Sequence, residues 1–344
     1  MRSHRVATER LELALVESGP QDGIPVVLIH GNLSTGRFYE HLFEDAPARY
    51  RLLAPDMRGF GDTERVPIDA TRGLRDWADD TFALLAALEV AAPPHLVGWS
   101  TGGAAIAAFA LEHPVASLTF VDPVGPYGYG ATKLDGTPHF ADFAGSGGGT
   151  GNPEFTARLH AGDRSDEGDT APRNVMNNSY WRVGHRESPE REELLLSEIL
   201  KSVTGDDGYP GDAEPSPNWP GVAPGTRGIL NALSPKYCNW ASIVDLHPKP
   251  PILWTHGSDD IVVADGSPWE MGTLGQLGAI PSWPGPGVFP AQPMVAQIRA
   301  VLEAYAAAGG RVRMERFEGS GHFPPLDARE RWSALFFEFL ESVQ

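Results

Sequence analysis

His95-Leu96-Val97-Gly98-Trp99-Ser100-Thr101-Gly102-Gly103 is the stretch on which the fold of this chain turns. His95 to Val97 is a short apolar run of the kind that forms a buried strand, and the alanine-rich segment Ala104 to Glu112 that follows reads as a helix. A chain that passes from strand to helix in so few residues bends sharply, and Gly98 and Gly102 leave room that a Cβ would fill. Ser100 stands at the apex, where the helix N-terminus gathers free backbone N–H groups and a partial positive charge. A hydroxyl placed there sits beside donors able to hold an oxyanion.

Outward from this turn, strands and helices alternate. Toward the N-terminus, Leu11 to Val16 is a short alternating stretch, Pro25 to Ile29 is a continuous apolar run closed by His30-Gly31, and Tyr50 to Ala54 is closed by Pro55-Asp56-Met57-Arg58-Gly59. Trp77, Phe82, Leu84, Leu85 and Leu88 recur at helical spacing within Asp76 to Val90. Toward the C-terminus, Leu118 to Val121 is one more buried strand. The same rhythm resumes at Pro251 to Trp254, Met294 to Ala308, Arg311 to Phe317 and Ala328 to Leu340. Such alternation predicts an α/β fold with a doubly wound, mostly parallel sheet.

Between the two halves the character changes. From Gly125 to about His247, Gly, Pro and aromatic residues are abundant. Only Glu187 to Val203, with Leu194, Leu195, Leu196, Ile199 and Leu200, reads as an amphipathic helix. Gly145 to Gly151 is glycine-rich but lies in a polar loop with no strand before it, which predicts a mobile loop rather than a dinucleotide fingerprint. The expected organisation is a core of residues 1–124 and 249–344, interrupted by an inserted cap at 125–248. A second, lid-like insertion, rich in Pro and Gly, spans 264–293.

Composition narrows the chemistry. The 344 residues are 41% apolar and 21% charged, an ordinary globular balance, and the net charge of -18 disfavours nucleic acid or an anionic membrane surface as partner. The four lysines, Lys133, Lys201, Lys236 and Lys249, lie outside core strands and phosphate loops, which argues against Schiff-base and P-loop chemistry. Cys238 is the only cysteine, so there is no intrachain disulfide and no cysteine cluster for zinc. Met1 to Glu17 is studded with charges and lacks the apolar stretch of a signal peptide; a cytoplasmic location is the expectation. The sequence carries no signature of oligomeric state, and no cofactor is called for.

Four segments, each at the end of an apolar run, resemble the α/β-hydrolase superfamily: Val27-Leu28-Ile29-His30-Gly31-Asn32, Ala54-Pro55-Asp56-Met57-Arg58-Gly59-Phe60-Gly61, the Gly98–Gly103 turn, and Gly321-His322-Phe323-Pro324. The resemblance implies a serine hydrolase with Ser100 as nucleophile and His322 as base. The family's usual G-x-x-D spacing selects Asp260, within Thr255-His256-Gly257-Ser258-Asp259-Asp260, as the acid that orients the base. Its neighbour Asp259, and Asp122 at the end of the strand after the turn, are the alternatives. The oxyanion hole is expected from the N–H groups of Thr101 and of Asn32 or Leu33, with His30 and the Asp56–Arg58 segment as braces. Leu33 and Trp99 are candidate substrate contacts. Dehalogenases and epoxide hydrolases share the His30-Gly31-Asn32 pattern but need an aspartate where this chain has Ser100.

In that family the insertion lies over the catalytic face. Here it carries Tyr127, Tyr129, Phe140, Phe143, Tyr180, Trp181, Tyr209, Trp219, Tyr237 and Trp240, most of which are expected to pack a small core of the cap itself. The second insertion, with Trp269, Trp283 and Phe289, is expected beside the site. The substrate expected is a small molecule, a medium-sized and largely apolar ester or lactone. A carbon-carbon bond hydrolase, a cofactor-free perhydrolase and a non-catalytic receptor of the same fold are the competing readings.

Overall fold

Val26, Val27, Leu28 and Ile29 are all buried and form the centre of the sheet in a computed structural model that describes residues 1–343. The main sheet has eight strands. In chain order they are β1 (Arg2–Ala7), β2 (Glu12–Ser18), β3 (Ile24–Ile29), β4 (Tyr50–Pro55), β5 (His95–Trp99), β6 (Ser117–Val121), β7 (Ile252–Gly257) and β8 (Val312–Phe317). Their spatial order is β1-β2-β4-β3-β5-β6-β7-β8. From β4 to β8 every pairing is parallel, whereas β1 with β2 and β2 with β4 are antiparallel.

The strand order reverses at β3, which has β4 on one side and β5 on the other. Loops leaving two neighbouring parallel strands in opposite directions open a crevice at their carboxyl ends, the usual place for a site in an open α/β sheet. The loops after β3, β5, β6, β7 and β8 carry Asn32, Ser100, Asp122, Asp260 and His322. Parallel topology alone therefore brings five distant segments to one rim.

Helices α1 (Arg75–Ala87) and α2 (Thr101–Glu112) pack on each other. The edge strand β1 was not evident in the sequence: only Val6 of its residues is buried, and Arg2 and Arg5 pair instead with Glu17 and Glu12 on β2.

Besides a single helical turn at Ile229–Ala232, the residues between β6 and β7 hold three helices, not one. They are α3 (Pro153–His160), α4 (Pro172–Ser179) and α5 (Pro189–Ile199), and each begins on a proline whose missing N–H costs nothing in a first turn. Asn152 and Ser188 cap α3 and α5 with their side chains. The Gly145–Gly151 segment is packed rather than mobile. Its residues 145–148 are buried, Gly145 N–H bonds Val222 O at 3.0 Å, and Gly148 N–H bonds Asn231 Oδ1 at 2.8 Å.

The aromatics of this insertion do not make a core of their own. Phe155, Tyr180, Trp181, Tyr209 and Trp240 join the same apolar cluster as the sheet, while Phe140 and Trp219 pack with Met271, Phe289 and Trp283 of the second insertion. That second insertion is closed at its base by an Asp265–Pro293 bridge. The remaining long helices are α6 (Met294–Ala307) and α7 (Arg329–Ser342). Among the described residues no helix is long and apolar enough to cross a membrane.

Candidate active site

Ser100 has φ 53 and ψ -116, a conformation that side-chain-bearing residues rarely adopt and that the surrounding backbone enforces. Its N–H donates to Val121 O at 2.9 Å, and its carbonyl accepts from Gly103 N at 2.9 Å and Val124 N at 3.1 Å. A Cβ on Gly98 would lie 2.3 Å from Gly102 O, and one on Gly102 would lie 2.3 Å from Ile29 O. Glycine at both positions is what lets the turn close.

The loop after β3 faces Ser100 and is held from two sides. His30 is fully buried; its Nδ1 lies 2.7 Å from Gly31 O and its Nε2 accepts the Met57 N–H at 2.9 Å. Burial lowers its pKa to about 4, so the ring is neutral with the proton on Nδ1. His30 is a brace, as the sequence suggested. From the other side the Tyr180 hydroxyl, on the insertion, donates to Leu33 O at 3.1 Å and Asn32 O at 3.3 Å. Leu33 itself has φ 51. Among the described residues the N–H groups of Asn32, Leu33 and Thr101 have no acceptor, which leaves them available to a developing oxyanion.

The segment after β8 delivers His322. Its Nδ1 lies 2.8 Å from Asp260 Oδ2, and both residues are buried. A carboxylate only accepts, so Nδ1 carries the proton and Nε2 is left as the basic nitrogen. Asp260 Oδ1 accepts from Val262 N at 2.7 Å and Val263 N at 3.1 Å. Burial pushes the Asp260 carboxyl up, but the charge and hydrogen bond of His322, with His256 and the Val263 N–H, hold it below its ordinary value.

Trp99 ties this loop to the serine turn. Its indole N–H donates to His322 O at 2.7 Å, and its ring packs on His322, Phe323, Phe38 and Tyr180. Trp99 and Leu33, the candidate substrate contacts, are only 1% and 3% exposed.

Of the three acids the sequence left open, only Asp260 is hydrogen-bonded to His322. Asp259 is exposed and accepts from Ser258 Oγ at 2.8 Å. Asp122 is fully buried and accepts from Gly257 N at 2.8 Å. Asp56 and Arg58 are structural. Asp56 takes the N–H groups of Gly36 and Asp62 at 3.0 and 2.9 Å, and Arg58 makes a two-pronged pair with Asp80 at 2.9 Å.

Sequence reasoning counted Tyr180 only among the aromatics of the insertion, without its bonds to the Asn32 and Leu33 carbonyls, and missed Asp327, which accepts the N–H groups of Gly321 at 2.8 Å and of Arg182 at 2.7 Å. A Cβ on Gly321 would meet the Trp181 carbonyl carbon at 2.2 Å, so the insertion's backbone presses directly on the histidine loop. No periodicity marks such contacts; they depend on where the insertion lands. Of the acidic groups close enough to share a metal ion, Asp56 and Glu198 already hold backbone or side-chain donors, and Asp260 holds His322.

The second insertion directs its rings elsewhere. Phe289 contacts His139, Phe140 and Trp219 of the first insertion, and Trp219 Nε1 donates to Pro281 O at 2.9 Å. It buttresses the cap.

Comparison with known proteins bears on the fold and the family. The 30 kDa magnesium-chelatase subunit of Rhodobacter capsulatus is 34% identical over 108 residues, 31% of this chain and 37% of that protein. The 2-hydroxy-6-oxo-6-phenylhexa-2,4-dienoate hydrolase of Burkholderia cepacia is 32% identical over 120 residues, 34% of this chain and 41% of that protein. The chain thus matches well under half the length of these curated relatives. Among solved structures, an esterase from Rhodococcus sp. ECU1013 superposes with a TM-score of 0.62 at 19% identity over 100% of both chains, which speaks for the fold alone. The model of the alpha/beta hydrolase family matches residues 26–335. With its doubly wound sheet and that match over most of its length, the chain belongs to the alpha/beta hydrolase family.

Proposed function

We propose that this chain is a serine hydrolase that cleaves a medium-sized, largely apolar carboxylic ester or lactone through an acyl-enzyme. The observation that carries the reading is the 2.8 Å contact of His322 Nδ1 with Asp260, which directs the basic Nε2 away from the acid. In this reading Nε2 removes the Ser100 proton as Oγ attacks the carbonyl carbon. The tetrahedral oxyanion is held by the N–H groups of Thr101 and Asn32. The imidazolium passes its proton to the leaving alkoxide, and the same nitrogen then activates a water that releases the acid and restores Ser100.

Similarity to a dienoate hydrolase supports a second reading, hydrolysis of a carbon-carbon bond next to a carbonyl by the same residues. Turnover on parallel panels of aryl esters, lactones and vinylogous diketones separates the two. A fluorophosphonate probe should label Ser100 in the intact protein and fail to label Ser100→Ala. Absence of labelling in the folded protein defeats both readings and leaves a binding protein of this fold.

A further inference from the structure

Asp122 closes β6 and points at the same rim as the proposed triad. Its φ of 41 is one that aspartate and asparagine tolerate better than other residues, and it turns the chain so that the carboxyl reaches the end of β7. Oδ1 accepts the Gly257 N–H at 2.8 Å. Oδ2 is buried without any donor. One oxygen of Asp122, one of Asp260 and a ring nitrogen of His322 lie within 4.8 Å of one another.

Two ionised carboxylates this close, both removed from water, repel strongly and have no proton between them. Counting donors shows where a proton is missing. Asp260 Oδ1 holds two backbone N–H groups and Oδ2 holds His322, so Asp122 Oδ2 is the one oxygen of the four that nothing satisfies. His256 does not fill the gap: its Nδ1 comes within 3.3 Å of Asp122 Oδ1 but is not aligned, and that nitrogen is itself without a partner.

We propose that Asp122 is a positioning residue for the triad, a neutral carboxylic acid whose Oδ2–H donates to the Asp260 carboxylate and moderates the charge that Asp260 presents to His322. It rests on the hydrolase reading above. The groups facing it fit a neutral acid. Burial, then the charge of Asp260, then that of Asp327 push the Asp122 carboxyl well above its ordinary value. His256 is kept neutral by burial, although Asp260 and Asp265 oppose this and His322 and Arg316 reinforce it. No cation therefore stands between the two acids.

Asparagine is the shape of that neutral acid, with an oxygen for Gly257 N–H and an N–H for Asp260; alanine keeps neither. In kinetics on an aryl ester, Asp122→Ala should lower kcat/KM by about tenfold, the worth of one hydrogen bond to a charged group, and should move the acidic limb of the pH profile upward. Asp122→Asn should recover most of the loss and return the limb. A loss with Asp122→Asn as large as with Asp260→Asn would show that Asp122 works ionised, and would overturn the proposal, as would full activity in Asp122→Ala.

A second measurement does not need turnover. In the Ser100→Ala background, wild-type Asp122 pays to stay protonated above about pH 4, where it ionises in the unfolded chain. Asp122→Asn should therefore melt higher than its parent at neutral pH, with the difference vanishing near pH 4. If it melts lower at neutral pH, Asp122 is ionised against a protonated His256 and the idea fails. Failure of the hydrolase reading shows separately, as lack of Ser100 labelling with the melting result unchanged.

Discussion

Asp259 and Asp260 are adjacent in sequence, yet only one faces the imidazole. The Asp260 carboxylate lies 2.8 Å from His322 Nδ1, while Asp259 is exposed on the Ser258 hydroxyl. Asp260→Asn should lower kcat by about four orders of magnitude, because an amide no longer fixes the Nδ1–H tautomer. Asp259→Asn should leave kcat within about twofold, as surface substitutions do. Equal losses from the two substitutions would mean that the base is oriented by something else. At this scale the sequence was legible where a residue lies in the loop that leaves the carboxyl end of a strand: Ser100, Asp260 and His322 follow β5, β7 and β8 within a few residues, and the parallel sheet puts those loops on one rim. It was silent on Tyr180, Asp327 and the role of Trp99, whose contacts are set by how loops fold back. It was equally silent on the closeness of Asp122 to Asp260, because the two are brought together in space by the parallel neighbours β6 and β7 and not by spacing.

The strands were readable because β3, β4, β5, β6 and β7 are buried along nearly their whole length and so each carries a short, mostly apolar run. Edge strand β1 was not, since it earns its place by charge pairing. Helices α3 and α4 escaped because they are short, and their starts are marked by Pro153 and Pro172 rather than by an apolar stripe. The segment between α4 and α5 makes the most consequential contact of the insertion. Tyr180 reaches the Asn32 and Leu33 carbonyls, and Arg182 N–H reaches Asp327 beside the histidine loop, so a few residues strap both sides of the site. Tyr180→Phe keeps the ring packed on Trp99 and Phe38 but releases the carbonyls. It should lower kcat by about fivefold with little change in KM, the effect of one neutral hydrogen bond that orients the donors without touching substrate. A fall in melting temperature with unchanged kcat would reduce the strap to a purely structural tie.

Across the whole molecule, 45 acidic against 27 basic side chains make acidification relieve repulsion at the surface, which by itself favours the fold as pH drops toward 5. The buried histidines act the other way. Burial lowers His30, His41 and His95 to about 4 from an ordinary 6.5, with flanking Arg191 and Arg329 adding to the effect at His41. Above pH 6.5 both the folded and unfolded chains hold these rings neutral, and nothing is gained or lost. Below it the unfolded chain takes up protons that the folded chain refuses. Each ring then removes about 1.4 kcal/mol per pH unit, up to about 3 kcal/mol by pH 4. Asp56 opposes them: burial raises it to about 6, so its contribution grows as pH falls from 6 toward 4. Buried Asp122 and Glu270, also raised, act with Asp56, but burial lowers His139 and His256 as well, so the lowered imidazoles still outnumber the raised carboxyls, and exposed surface charge is screened at ordinary salt. Stability should therefore fall between about pH 6.5 and 4.5, the opposite of what the net charge suggests. His95 lies at the start of β5, at the far end of the strand from the site, where its Nδ1 meets Ser117 Oγ at 2.8 Å. His95→Gln keeps a polar group at that hydroxyl, and denaturant titrations across this range should show a slope of stability against pH shallower by about 1.4 kcal/mol per pH unit. Stability that is flat or rising on acidification, or a His95→Gln slope equal to that of the parent, would place the protons elsewhere than on these buried rings.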